Sequence, residues 1–354
     1  MARVDLTVRG GGIFGLSIAY EAARRGAKVR LIETARIGAR ASGGLVGALS
    51  PHVPEGWNAK KAFQLDSLLM AEGFWAGVRE VSGLPTGYGR VGRLQPLADA
   101  AAVALARARG EGAAVLWQGK AEWQVVPATG AAWEPVSLSG FLVRDTLSAR
   151  LQPRMALVAL AGAIRALGGE VVEGEAQDAG AVVWATGVAG LQALGAGLGR
   201  KVGDGVKGQA LSLRHAAEDL PQLFVAGLHV VPHADGTVAI GSTSETVFDD
   251  PAATDGQLDA LHARAVAALP VLAGAPVVAR WAGLRPRAVT KAPVLGAWPG
   301  RAGHFVANGG FKIGFGMAPK VAQVMVDLVL EGRGTIPPDF ALPELTPTSS
   351  IRSL

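Results

Sequence analysis

The chain has 354 residues, 49% hydrophobic and 18% charged, which is enough for two domains and too apolar for disorder over most of its length. It contains no cysteine, which excludes disulfides, thiolate catalysis, thiolate-bound zinc and thioether-linked cofactors. The net charge of +5 is spread without a basic stripe, so no nucleic-acid partner is expected. No apolar run reaches the roughly 18–20 residues of a membrane span. Because the N-terminus also lacks a signal-peptide pattern, we expect a cytoplasmic protein.

The first 33 residues have the pattern of a βαβ unit. Residues 4–8 form a short apolar strand, and residues 10–15 a glycine-rich turn. Residues 16–25 have helical periodicity, and residues 28–33 form a second strand. Parallel strands joined by a helix predict a doubly wound α/β sheet.

The remaining segments alternate between helical and strand patterns. Helices are predicted at residues 58–82, 98–110, 153–167, 253–269 and 318–330. Strands are predicted at residues 89–97, 170–173, 181–184, 277–284 and 305–307. Residues 115–145 are expected to be irregular or β. Asp235 and Gly236, between two apolar runs at residues 230–232 and 238–241, predict a tight hairpin.

Strand–helix–strand patterns lie at both ends and in the middle of the chain, with β-rich segments between them. This interleaving predicts two discontinuous domains. The nucleotide-binding domain is expected to comprise residues 1–57, 146–206 and 290–340, and the substrate domain residues 58–145 and 207–289. Residues 341–354 are expected to form a tail.

The glycine-rich turn carries a dinucleotide-binding motif. Gly10, Gly12 and Gly15 fit G-x-G-x-x-G between a strand and a helix, and Glu33 ends the next strand. The first glycine permits the tight turn, the second lets a pyrophosphate approach the helix N-terminus, and the third permits close packing. The Glu33 carboxylate can accept hydrogen bonds from ribose hydroxyls and would repel a 2′-phosphate.

The glycine-rich turn alone fits both FAD and NAD, and three later segments favour FAD. Residues 41–51 (ASGGLVGALSP) are polar, glycine-rich and uncharged, and can lie against the ribityl chain and ring of a flavin. Together with residues 181–187 (AVVWATG) and 309–319 (GGFKIGFGMAP), they resemble the D-amino-acid oxidase superfamily of FAD-dependent oxidoreductases. The resemblance is strongest to its glycine oxidase-like and sarcosine oxidase-like members.

Two further motifs extend this resemblance over nearly the whole chain. Residues 231–236 (VPHADG) with 240–243 (IGST) are similar to a hairpin of the family. Residues 281–286 (WAGLRP) with 293–296 (PVLG) are similar to a family segment that carries an arginine. The resemblance implies a doubly wound, Rossmann-like FAD-binding domain of the glutathione reductase type, with a β-sheet-dominated substrate domain.

The resemblance also implies bound FAD. No metal is expected, because His229 and His233 lie in a β-like segment without a third ligand. A covalent link is not expected, because there is no cysteine and no histidine in residues 41–49. The resemblance and the motifs together give the following cofactor-binding residues: Gly10, Gly12, Ile13, Phe14, Gly15, Glu33, Thr34, Ala41, Ser42, Gly43, Gly47, Ala48, Ala176, Thr186, Gly187, Gly310, Phe311, Lys312, Ile313 and Gly314.

The reaction implied is the removal of hydride from the carbon next to an amine, giving an imine that hydrolyses. The expected partners are a small amine or amino acid and oxygen or another electron acceptor. Arg285 matches the family's bidentate carboxylate clamp, a role that suits a planar guanidinium. Lys312 resembles a lysine that contacts the substrate carboxylate, and His229 stands where relatives often place a tyrosine.

Two other functions remain open at this stage. One is a tRNA-modifying FAD-dependent oxidoreductase that acts on a carboxymethylaminomethyl nucleoside. The other is a non-catalytic flavin-binding module. Under any of the three, the helix that begins at residues 316–319, with Pro319 in its first turn, is expected to direct its N-terminus at the flavin. Tyr88 and Trp281 are expected to be core aromatics.

Overall fold

The protein consists of two large β-sheets with helices packed on them. The computed structural model describes residues 4–342. The strands are β1 (Leu6–Arg9), β2 (Val29–Glu33), β3 (Ala48–Leu49), β4 (Arg93–Pro96), β5 (Trp123–Pro127), β6 (Phe141–Asp145), β7 (Ala149–Arg150), β8 (Glu170–Glu173), β9 (Ala181–Trp184), β10 (Gly203–Arg214), β11 (Gln222–Val225), β12 (Leu228–Pro232), β13 (Thr237–Gly241), β14 (Val277–Ala288), β15 (Val294–Ala297) and β16 (His304–Asn308).

Seven α-helices are found within the described residues. They are α1 (Ile13–Arg24), α2 (Ala59–Ser82), α3 (Ala100–Trp117), α4 (Pro153–Ala166), α5 (Gly187–Gly197), α6 (Gly256–Ala268) and α7 (Gly314–Glu331). None of these helices combines the length and the apolarity that a membrane crossing requires. The tail predicted at residues 341–354 lies almost wholly outside the described residues.

The six-stranded sheet has the order β15-β16-β9-β1-β2-β8. Its neighbouring strands are parallel except for β15 with β16. Leu6, Val8 and Leu31 are fully buried, as expected for parallel strands covered on both faces. The predicted doubly wound α/β sheet is therefore confirmed.

Helix α1 packs against this sheet, and nearly all of its side chains are buried. Leu16, Ile18 and Ala22 have no exposed surface, and α1 packs on α4 and α7. Burial of each large aliphatic side chain contributes about 1.5–3 kcal/mol. This packing fixes the N-terminus of α1 at the sheet edge where β1, β2 and β9 end.

The eight-stranded sheet has the order β14-β10-β13-β12-β11-β4-β6-β5. Its pairs are antiparallel except for β11 with β4, and β10 and β14 are its longest strands. Leu211, Ile240 and Leu258 belong to a separate core beneath α6. The hairpin predicted around Asp235 and Gly236 is confirmed as β12 and β13.

The division into two discontinuous domains stays a prediction. β4, β5 and β6, with β10 to β14, form the eight-stranded sheet, so most of the predicted substrate segments share one sheet. The boundary predicted at residue 206 lies inside β10, which begins at Gly203.

Helix α3 is longer than predicted. The side chain of Asp99 accepts a hydrogen bond from the Ala102 backbone N–H at 2.8 Å and so caps the helix. The helix continues past Gly110 to Trp117, because Ala113 and Trp117 are buried in the core. Tertiary packing has overridden the low helix propensity of glycine.

Helix α7 begins at Gly314, four residues before the predicted start. The Met317 N–H already donates to the Ile313 carbonyl at 3.0 Å. Pro319 therefore lies inside the helix and not in its first turn, which corrects the prediction. The glycine-rich loop ends at Ile313, and the N-terminus of the helix lies at Gly314.

Candidate functional site

One cavity of about 1000 Å³ lies between the two sheets. Its wall contains the ends of β1, β2 and β9, represented by Arg9, Glu33 and Trp184. The opposite wall contains residues 281–286 of β14 and His229 of β12. Ligands in open α/β sheets bind outside the carboxyl ends of the strands, which is where this cavity lies.

The glycine-rich turn brings main chain directly to the cavity. A Cβ on Gly10, whose φ is +112°, would lie 2.4 Å from the Ala185 carbonyl oxygen. A Cβ on Gly15 would lie 1.9 Å from the Gly10 carbonyl oxygen. Both separations are far below van der Waals contact, so no side chain larger than glycine fits at either position. Gly10 lets the turn lie against the end of β9, and Gly15 lets α1 pack closely against the turn, as the motif predicts.

Two side chains already bond to the turn. Glu33 Oε2 accepts from the Gly11 N–H at 2.7 Å, and Glu33 Oε1 accepts from the Ala35 N–H at 3.0 Å. The Ile13 N–H, the first of α1, donates to Ser42 Oγ at 3.0 Å. The carboxylate and the hydroxyl are thus fixed beside the start of α1.

Arg285 is buried in the opposite wall, with 7% of its surface exposed. Its Nη1 donates to Ser242 Oγ at 2.6 Å, and its Nη2 donates to the Thr243 carbonyl at 2.7 Å and the Lys207 carbonyl at 3.1 Å. Its Nε is buried and has no hydrogen-bond partner within residues 4–342. Burial lowers the pKa of Arg285 to about 10, which still leaves it charged at pH 7.

Gly208 of β10 provides the surface on which this guanidinium lies. A Cβ at Gly208 would lie 2.4 Å from Arg285 Nη2 and 2.5 Å from Arg285 Cζ. Any larger side chain at this position would displace the guanidinium. Gly208 is therefore part of the Arg285 site, although it donates and accepts nothing there.

A partly buried ion network, with Lys207 and Glu245 buried and Asp255 exposed, lies next to the carbonyl groups that Arg285 contacts. Lys207 Nζ lies 3.5 Å from Glu245 Oε2 and 3.6 Å from Asp255 Oδ2. Gln209 Nε2 donates to Glu245 Oε1 at 3.1 Å and to Asp255 Oδ1 at 2.9 Å, and the Thr243 hydroxyl donates to Glu245. The segment after β13 is thus tied to β10.

Lys312 lies at the same end of the cavity, beside Phe311. Lys312 Nζ is 5.6 Å from the centre of the Phe311 ring, and Arg285 Cζ is 5.4 Å from it. Burial lowers the pKa of Lys312, and the charges of Arg285 and Arg287 lower it further. Phe311 has φ +44°, and its N–H donates to the Pro286 carbonyl at 3.0 Å, so the loop is tied to β14.

His229 reaches the cavity from β12, whereas His233 does not line it. Burial lowers the pKa of His229 to about 4, with further contributions from the charges of Arg93 and Lys312. His229 is therefore neutral at pH 7. Its Nδ1 is buried and has no hydrogen-bond partner in the described part of the chain. His233 Nε2 is 3.1 Å from the Val46 carbonyl oxygen.

The cavity brings together most of the predicted site residues. The predicted cofactor-binding residues that line it are Gly10, Gly12, Ile13, Phe14, Glu33, Thr34, Ala41, Ser42, Gly47, Ala48, Thr186, Gly187, Gly310, Phe311, Lys312 and Gly314, and the predicted catalytic residues Arg285, Lys312 and His229 line it as well. The predicted residues that do not line it are Gly15, Gly43, Ala176 and Ile313. The Ala176 carbonyl accepts from Arg9 Nη2 at 3.1 Å.

Sequence reasoning missed several residues of the site. Ser242 follows β13 within the IGST segment, but its contact with Arg285 was not predicted, and no local signal marks Gly208 of β10. Trp281 lines the cavity although it was expected to be a core aromatic, whereas Tyr88 does not line it. A second aromatic group lies near the β9 end, where Arg9 stacks over Trp184 at 5.3 Å.

The residues present fit a bound FAD. The volume is at the upper end for a cofactor site of about 300–1000 Å³. The turn and the start of α1 offer main-chain N–H groups to a diphosphate, and Glu33 offers a carboxylate to ribose hydroxyls. Residues 41–48 would face the ring system. Among residues 4–342, no group of three or more acidic or histidine side chains is arranged to hold a metal ion.

Comparison with known proteins assigns the family. A family model described as FAD-dependent oxidoreductase (DAO) matches residues 5–328. The chain is 38% identical over 140 residues to the glycine oxidase of Pseudomonas putida, a match that covers 39% of this chain and only 38% of that relative. It is 29% identical over 358 residues to the glycine oxidase of Geobacillus kaustophilus, covering 92% of this chain and 93% of that protein.

A solved structure shares the fold of this chain. The iminodiacetate oxidase of Chelativorans sp. BNC1 superposes with a TM-score of 0.82 at 22% identity, over 95% of this chain and 98% of that one. That similarity shows the same fold. The family model covers most of the chain, and the glycine-rich turn, Glu33 and the cavity supply the matching site. The chain belongs to the DAO family of FAD-dependent oxidoreductases.

Proposed function

We propose that the protein catalyses the FAD-dependent oxidation of the C–N bond of a small amino acid or secondary amino acid, giving an imine that hydrolyses. The observation that carries this proposal is Arg285, a charged guanidinium buried in the cavity wall with its Nε unpaired among the described residues. The names of the relatives, glycine oxidase and iminodiacetate oxidase, support the same substrate class.

Arg285 binds the substrate carboxylate in this proposal. Ser242, Thr243 and Lys207 accept hydrogen bonds from three of the five guanidinium N–H groups. The Nε N–H and the second Nη1 N–H have no partner among the described residues. A carboxylate that accepts from the guanidinium neutralises the buried charge. The carboxylate thereby fixes the orientation of the carbon that is oxidised.

The surrounding charges favour a neutral amine. When bound, FAD supplies the acceptor for the hydride that leaves the carbon beside the nitrogen. A neutral amine donates this hydride more readily than an ammonium does. Arg285 and Lys312 disfavour another positive charge nearby, so they lower the pKa of the bound amine. His229, neutral at pH 7, offers a hydrogen bond without adding charge.

An anaerobic reduction screen tests the proposal. The purified holoenzyme is mixed without oxygen with glycine, sarcosine, D-amino acids and proline, and the loss of flavin absorbance is recorded. Methylamine and dimethylamine, which lack the carboxylate, are the matched controls. We expect at least one amino acid to bleach the flavin far faster than its decarboxylated control. If no amine or amino acid bleaches the flavin, the proposed function is wrong.

The electron acceptor and the location complete the proposal. We infer that oxygen or another oxidant takes the electrons from the flavin and that the enzyme works in the cytoplasm. Rapid mixing of the reduced enzyme with oxygen distinguishes an oxidase from a dehydrogenase that uses another acceptor.

A further inference from the structure

We propose that the substrate carries two carboxylates, as a secondary or primary amino dicarboxylic acid does. Arg285 binds one carboxylate and Lys312 the other, within a cationic cluster of Arg285, Arg287 and Lys312. This inference rests on the proposed function and specifies its substrate class.

The cationic cluster surrounds a single aromatic ring. Arg285 Cζ lies 5.4 Å from the centre of the Phe311 ring, Arg287 Cζ 5.7 Å from it and Lys312 Nζ 5.6 Å from it. Arg285 and Arg287 alternate with Pro286 on β14, so their side chains leave the same face of the strand. Lys312 faces them from the loop that leads into α7. Three positive charges therefore surround Phe311, and two of them, Arg285 and Lys312, line the cavity.

This cluster has no direct carboxylate partner in the described part of the chain. Within residues 4–342, no Asp or Glu side chain forms an ion pair with any of the three. Two other buried cations are treated differently: Arg93 pairs with Asp145 at 2.9 Å, and Lys207 lies between Glu245 and Asp255. Unpaired charge in a partly buried site is costly and is retained where a ligand neutralises it.

The charges along the cavity wall show how much of this excess a cofactor can neutralise. The charged lining side chains are Arg9, Arg40, Arg285, Arg301, Lys312 and the single acid Glu33. Arg9 lies beside the glycine-rich turn, where an FAD diphosphate would bind, and its Nε already pairs with Asp178 at 2.7 Å. Arg285 and Lys312 lie at the other end. One substrate carboxylate neutralises one of these two charges, and a second carboxylate would neutralise the other.

The position of Lys312 supports a contact role. Its loop is tied to β14 through the hydrogen bond from Phe311 to Pro286, so the main chain of Lys312 is held beside the strand that carries Arg285. Phe311 holds a left-handed φ of +44°, which is unfavourable for a bulky side chain and is retained when the surroundings require it. The N-terminus of α7, two residues after Lys312, adds a partial positive charge at the same place.

The experiment compares pairs of substrates that differ in one charge. Holoenzyme is reduced anaerobically in a stopped-flow instrument with iminodiacetate and its monoamide, and with aspartate and asparagine in both enantiomers. Each amide has nearly the shape of its diacid and lacks the second carboxylate. We expect at least one diacid to show an apparent Kd at least about tenfold lower than its amide, a difference of about 1.4 kcal/mol.

Two variants assign the effect to the cluster. Lys312→Met should abolish most of the difference between diacid and amide, whereas Lys312→Arg should keep it. The exposed Lys120, far along the chain at the end of α3, supplies the control: Lys120→Met should leave the ratio unchanged.

Each result has a defined meaning. If amides or glycine and sarcosine reduce the flavin and the diacids bind no more tightly, the dicarboxylate proposal is wrong and the proposed function stands. An undiminished ratio in Lys312→Met also overturns the assignment. If no amino acid of either kind reduces the flavin, the proposed function fails and this inference fails with it.

Discussion

Replacing Gly208 by alanine should damage substrate binding while sparing the fold. The new Cβ would lie 2.4 Å from Arg285 Nη2 and 2.5 Å from Arg285 Cζ, where carbon and nitrogen need more than 3 Å. The guanidinium is the free end of a long side chain, so it would move by roughly 1 Å and the strand would stay in place. The hydrogen bonds to Ser242 and Thr243 would lengthen with it.

The size of the effect follows from the hydrogen bonds that a substrate carboxylate would accept from the guanidinium. A hydrogen bond to a charged group contributes about 1.5–3 kcal/mol. If the shift disrupts one bond in the carboxylate complex, the substrate Kd rises by about 10–150-fold. Alanine is favoured over glycine inside a strand by about 0.5–1 kcal/mol, which offsets part of the clash. The free energy of unfolding should therefore change by less than about 1 kcal/mol.

Two measurements on the same sample separate binding from stability. Anaerobic flavin reduction gives the substrate Kd, and chemical denaturation gives the free energy of unfolding. Gly73→Ala is the control, because Gly73 lies in α2 with open space around its Cβ position. If Gly208→Ala binds substrate like the wild type, the guanidinium does not depend on this glycine and the reasoning fails.

Three further predictions concern the cofactor and the pH dependence of stability. Acid precipitation should release all the flavin into the supernatant, and flavin that stays with the pellet would contradict non-covalent binding. Glu33→Gln should weaken FAD binding roughly tenfold in a fluorescence titration of the apoprotein, because a charged acceptor beside the ribose is lost; unchanged affinity would remove Glu33 from the site. The pKa of His229 is about 4 in the folded state and about 6.5 in the unfolded state. Protonation therefore favours the unfolded chain, and the free energy of unfolding decreases as the pH falls from about 6.5 to about 4. His229→Gln should lack that loss, which amounts to about 3 kcal/mol by pH 4, and equal pH profiles of the free energy of unfolding would contradict the assignment.

Local motifs made the dinucleotide end predictable. The glycines at positions 10, 12 and 15 and the acid Glu33 lie within one βαβ unit, so their spacing along the chain fixes their arrangement in space. Most of the predicted cofactor residues accordingly line one cavity.

The surroundings of Arg285 were beyond prediction because they depend on strand register. Val206 lies opposite Arg285 in the β10–β14 pair, which brings the guanidinium over Gly208, and β13 then delivers Ser242 and Thr243. These contacts join residues more than thirty positions apart along the chain. No periodicity in a single segment encodes such a register.

The start of α7 was misplaced for a related reason. Glycines at positions 314 and 316 favour a loop when their propensity is considered alone. In the folded chain Gly316, Met317 and Ala318 are buried against the rest of the core, so packing extends the helix back to Gly314. The low pKa of His229 likewise depends on burial and on Arg93 and Lys312, which the sequence does not place next to it.

The most direct test of the proposed function is anaerobic flavin reduction by one amino acid and by its decarboxylated amine, in the wild type and in Arg285→Ala. We expect the wild type to react with the amino acid and to react poorly with the amine. Arg285→Ala should keep the flavin spectrum and bind the amino acid about 2–5 kcal/mol more weakly, with Arg285→Lys recovering only part of the loss. If the wild type oxidises the decarboxylated amine as well as the amino acid, or if Arg285→Ala binds the amino acid normally, then Arg285 does not bind a substrate carboxylate and the account is contradicted.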